Sequence, residues 1–79
     1  MANDLVWDKR IVRTFEETAC LTEDELIVLH DWVRGKTIVY TAMAHSMSTR
    51  KIDKLRSNIR MKYDRVQVYT PELPKRTRS

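Results

Sequence analysis

The 79-residue sequence predicts an all-α protein, a compact bundle of about four helices. Three observations carry that expectation. A single Gly and two Pro, both late, are too few for a turn-rich β architecture. Apolar residues recur at spacings of three and four in separate stretches, the period of a helix with one buried side. Ser and Thr stand just ahead of those stretches, where their hydroxyls accept from the orphan N–H groups of a first turn.

The first helix is expected over about residues 5–17, from Trp7, Ile11 and Phe15 at i, i+4 and i+8 with Val12 beside them. Asn3 or Asp4 can cap it. Its expected role is a lid over the core of the following helices; the alternative use of Trp7 and Phe15 is a homodimer face.

After a connector at Thr18–Cys20, Leu21-Thr22-Glu23-Asp24-Glu25-Leu26 contains a capping box. Thr22 and Glu25 can each accept from the other's backbone N–H, with Leu21 and Leu26 at hydrophobic-staple positions. Three acids in the first turn also suit the helix dipole. This helix is expected to run to about Arg34 with Leu26, Leu29 and Val33 as its stripe and Trp32 or Ile27 on the border. Gly35 then ends it in the left-handed conformation.

Thr37 caps a short helix, about Ile38 to His45, with Ala42 facing inward. A tight turn follows at Ser46-Met47-Ser48, and Ser48 caps a longer helix. There Ile52, Leu55, Ile59 and Tyr63 form one apolar stripe. At about 100° per residue, Arg50, Lys54, Ser57 and Met61 fall on the opposite side, flanked by Asp53 and Asn58. Asp64 to Tyr69 is read as an extended segment laying Val66, Val68 or Tyr69 across the core, and Thr70-Pro71-Glu72-Leu73-Pro74 as the end of regular structure. The expected organisation is an N-terminal helix and connector over 1–20, a helix-turn-helix domain over 21–69 and a basic tail over 70–79.

The net charge of +4 is unevenly divided. Residues 1–47 hold five Lys/Arg against eight Asp/Glu, and residues 48–79 hold ten against three. Such a split suits a polyanion on the side of the last helix, although a merely solvated basic helix has the same charge. No apolar run approaches the ~20 residues of a membrane span, and the N-terminus lacks the apolar core of a signal peptide. The single Cys20 cannot form an internal disulfide, so the cytoplasm is the expected compartment. His30 and His45 have no partner at ligand spacing, and no metal or cofactor is expected; His45 reads as a hydrogen-bonded packing residue. Nor is an enzyme expected: no nucleophile–base arrangement, paired carboxylates or Gly-rich phosphate loop is present.

Taken in order, Leu21-Thr22-Glu23, Glu25-Leu26, Val28-Leu29, Gly35, Thr37, Ala42, Met47-Ser48, Ile52 and Asn58-Ile59 resemble a known pattern. It is the helix-turn-helix of sigma-70-type region 4 and the related LuxR/GerE output domains, closest to the small stand-alone bacterial and phage proteins of that kind. The likeness covers roughly residues 21–63. Thr41 and His45 stand where that family usually has Ile and Leu. The resemblance implies that the helix beginning near Thr49 enters the major groove of double-stranded DNA while the short helix crosses the backbone. By position it implies Lys51, Asp53, Lys54 and Ser57 as DNA-facing; residue geometry independently selects Arg50, Lys54 and Ser57.

Residue chemistry supplies the contacts. Arg50 can present a fork to guanine and Lys54 can donate to the same acceptors, while Ser57 and Asn58 can serve bases or phosphates. Asp53 can accept from a cytosine amino group or orient a neighbouring Arg. Arg56 and Arg60 are expected to meet phosphates, as are Lys36 and Thr37 at a helix start. The expected function is therefore sequence-specific duplex binding in transcriptional regulation. The rival is a protein-interaction module that mimics sigma region 4 and binds RNA polymerase or a regulator, served by Glu23, Asp24, Glu25 and Asp31.

Overall fold

The structure is a computed structural model and describes residues 8–74. Four helices and no strand occur among the described residues: α1 (Lys9–Thr18), α2 (Glu23–Val33), α3 (Ile38–Ala44) and α4 (Thr49–Gln67). Residues 8–20 and 62–74 form one compact unit and Leu21–Met61 another, with α4 supplying residues to both.

In the first unit, Asp8 caps α1 by accepting from the Ile11 N–H at 2.8 Å. The helix therefore starts at Lys9 rather than near residue 5. Trp7 and the alternative caps Asn3 and Asp4 lie outside the described residues, as does the tail beyond Pro74. Phe15 is fully buried and meets the Tyr63 ring edge-on, with centroids 5.4 Å apart and planes at 60°. That burial removes Phe15 from any dimer face. Lys62 donates to the Cys20 carbonyl oxygen at 2.8 Å. These contacts group residues 62–69 with the N-terminal helix.

The expected extended segment after Tyr63 is instead helix, and α4 continues to Gln67. Val66 sits three residues beyond Tyr63, so helical continuation keeps it on the buried stripe, whereas Val68 and Tyr69 stand exposed. Past α4 the chain folds back. Leu73 is buried, its carbonyl accepts from Gln67 Nε2 at 3.3 Å, and the Tyr63 hydroxyl donates to the Pro74 carbonyl.

In the second unit, both halves of the capping box form: the Glu25 N–H donates to Thr22 Oγ1 at 3.2 Å and the Thr22 N–H to Glu25 Oε1 at 2.9 Å. The buried residues of α2 are Glu25, Val28, Leu29 and Asp31. Of the expected stripe only Leu29 is fully buried, while Leu26 and Val33 are half-buried. Two acids can enter the interior because both are engaged. Glu25 serves the cap, and Asp31 Oδ2 lies 3.2 Å from His45 Nε2.

Both α2 and α3 end in the same way. After α2, Gly35 adopts φ +81° and the Lys36 N–H donates back to the Asp31 carbonyl at 2.9 Å. After α3, Ser46 adopts φ +55° and the Met47 N–H donates to the Ala42 carbonyl at 2.9 Å. Each is the six-to-one closure of a Schellman motif, with a left-handed residue at C′. In α3, Thr37 caps by accepting from the Tyr40 N–H at 3.0 Å. Thr41 and Ala42 are its buried residues. The Thr41 hydroxyl donates to the Thr37 carbonyl at 3.2 Å, which lets a polar side chain occupy an aliphatic position.

Candidate nucleic-acid interface

α4 is positioned at its start by Ser48, whose Oγ accepts from the Lys51 N–H at 3.0 Å. Ile52, Leu55 and Ile59 are buried beneath it. With that seam inward, Thr49, Arg50, Asp53, Lys54 and Ser57 are all exposed, and Asn58 on the flank is half-buried. From Arg50 to Ser57 the helix advances about 10 Å at ~1.5 Å per residue. Thr49, Arg50 and Asp53 share an open hollow of about 360 Å³ with Ile38 of α3.

The cations of α4 divide into two kinds. Arg50 and Lys54 have no hydrogen-bond or ion-pair partner among the described residues. Lys51 instead reaches Asp24 of α2 at 3.3 Å, an ion pair in which both side chains are about half exposed. Arg56 and Arg60 turn toward Trp32 of α2, with guanidinium carbons 4.6 and 5.5 Å from the ring centroid. Arg56 also donates to the Lys36 carbonyl at 3.1 Å. Its guanidinium therefore ties α4 to both α2 and the lead-in of α3.

At the start of α3, the Thr37 hydroxyl is occupied by its cap, and the Lys36 ammonium lies 4.7 Å over the Tyr40 ring. The geometry thus brings Thr49, Arg50, Asp53, Lys54 and Ser57 to one exposed side and gives Lys36, Thr37 and Lys51 contacts within the protein. The Arg56–Trp32–Arg60 stack has a sequence signal, since residues 56 and 60 are one turn apart. Which aromatic they cover depends on how α2 packs.

An all-α chain in which a tight turn joins a short helix to a long cationic one is what the fold and this surface define. No protein-family model, curated protein or solved structure matches the chain. No helix among the described residues is long and apolar enough to cross a membrane.

Proposed function

We propose that the protein binds double-stranded DNA through the exposed side of α4 and acts in transcriptional regulation. One observation carries this reading: Arg50 and Lys54, both without a hydrogen-bond or ion-pair partner among the described residues, stand with Ser57 on the side opposite a buried aliphatic seam. Their span of about 10 Å along the axis corresponds to roughly three base-pair steps of ~3.4 Å. Arg50 suits guanine O6 and N7, and Lys54 suits the same acceptors or a phosphate. Asp53 lies between them in sequence; it favours a cytosine amino group over a phosphate oxygen.

The rival reading, an acidic docking module for RNA polymerase, finds less support. Glu25 and Asp31 are buried and engaged, and Asp24 is paired with Lys51. Glu23 alone is a thin basis for an acidic surface.

Titration of the full chain against a random duplex at several salt concentrations tests the proposal. Log affinity should fall linearly with log salt, by about 0.9 per phosphate neutralised. Lys54→Ala should cost about 1–3 kcal/mol and relax preference at one position if the contact is to a base. Equal loss on every sequence would assign Lys54 to a phosphate. No binding at low salt, or unchanged binding by both Arg50→Ala and Lys54→Ala, would overturn the proposal.

A further inference from the structure

Lys9, Arg10 and Arg13 stand near the start of α1, and its first turn contains no acid. All three are exposed, and none has a hydrogen-bond or ion-pair partner among the described residues. At about 100° per residue, Lys9, Arg13, Arg10 and Thr14 occupy one arc of ~140°, with Ile11, Phe15 and Val12 on the opposite arc. The first four line an open hollow of about 310 Å³. This placement is unfavourable twice over. Lys9 and Arg10 stand four and three residues before Arg13, spacings at which like charges on a helix repel. The cations also sit at the positive end of the helix dipole, which the capping carboxylate of Asp8 offsets only in part. An anion in the hollow turns the same charges into attractions.

We propose that this side of α1 is a second, sequence-independent nucleic-acid contact that takes the phosphate oxygens of a duplex backbone. Three features select that ligand. The hollow presents ammonium, guanidinium and hydroxyl donors, and the Arg forks match the geometry of phosphate oxygens. From Lys9 to Thr14 the helix advances about 7.5 Å, or roughly two base-pair steps of ~3.4 Å, so the row follows a backbone rather than a single ion. The apolar side of α1 is already used inside the protein: Phe15 is fully buried, and Ile11 and Val12 are half-buried. A membrane-surface helix inserts that side into lipid, whereas a phosphodiester backbone needs only the cations. Asp8 and Glu72 border Arg10 in a neighbouring hollow, which leaves the Lys9–Arg13 side as the cationic one. The choice of a duplex rests on the reading of α4; the cation cluster does not.

Titration of the full chain against a random duplex of about 30 base pairs, over roughly 50 to 200 mM salt, tests the site. Lys9→Gln/Arg10→Gln/Arg13→Gln removes the charges and keeps good helix formers. Its slope of log affinity against log salt should be shallower than that of the wild type by about 2–3, the value for two or three phosphates. Across that range the wild type should therefore lose roughly 20- to 60-fold more affinity than the variant. The loss should be equal on every sequence, and Tm should not fall, because repulsion within α1 has been removed. Arg34→Gln/Arg65→Gln, which removes exposed cations from the α2 cap and the last turn of α4, should change the slope by less than about 1. An equal change from that control would mark general charge and overturn the proposal. A triple variant with the wild-type slope, while Arg50→Ala and Lys54→Ala weaken binding, overturns the α1 site and leaves the α4 reading standing. The reverse pattern supports the α1 site and removes the α4 reading. Absence of duplex binding at low salt overturns both. A triple variant that binds duplex like the wild type but loses attachment to vesicles of equal parts phosphatidylcholine and phosphatidylglycerol would assign the face to lipid and overturn the proposal.

Discussion

Arg56→Ala separates a cation that holds the fold from one that would meet nucleic acid. The Arg56 guanidinium lies 4.6 Å from the Trp32 ring centroid and donates to the Lys36 carbonyl at 3.1 Å. A hydrogen bond from a charged donor contributes about 1.5–3 kcal/mol, and a part-buried cation–π contact about 0.5–2 kcal/mol. One group makes both, so the two do not simply add. The expected loss is about 2–3 kcal/mol, equivalent to a fall in Tm of roughly 10–20 °C for a domain of this size. Urea denaturation followed by far-UV circular dichroism measures it. Duplex titration well below the new Tm should leave the salt dependence unchanged. Arg56→Lys adds a control, because it keeps the charge but loses the planar fork and the stacking. It should recover less than half of the lost stability. The reasoning is refuted if Arg56→Ala stays within about 0.5 kcal/mol of wild type while the slope of log affinity against log salt falls by about 0.9.

Three further substitutions examine the helix ends. Thr22→Ala removes the cap hydroxyl of α2 and should cost about 1 kcal/mol, read as a lower urea midpoint at constant m-value. Gly35→Ala meets no steric neighbour, so its cost should be the left-handed backbone alone, about 1–2 kcal/mol by thermal unfolding. Ser46→Gly makes the opposite change at the equivalent position after α3 and should stabilise by about 0.5–1 kcal/mol in the same assay. Equal signs for the last two would refute the assignment of both sites as left-handed caps.

The two left-handed positions also show where sequence reading reaches its limit. Gly35 announces its conformation, because a residue without Cβ directly after an apolar helix is the usual C′ signal. Ser46 does not announce it. A serine at φ +55° is tolerated because the Met47 N–H closes on the Ala42 carbonyl, a bond visible only once α3 has formed. The end of α4 behaves similarly. Alternating Val66 and Val68 permit a short strand, and the outcome turns on Val66 continuing the buried stripe beside Tyr63.

By itself the sequence determined the helical class, the caps at Thr22, Thr37 and Ser48, and which side of α4 faces inward. These depend on partners within three or four residues, so composition and spacing contain them. Tertiary structure alone decided which charges remain available. Lys51 reaches Asp24, Arg56 and Arg60 cover Trp32, and Asp31 lies beside His45, whereas Arg50 and Lys54 have no such neighbour among the described residues. A charge acquires its role from what packs opposite it, and residues 14 to 28 positions apart meet only when separate helices come together.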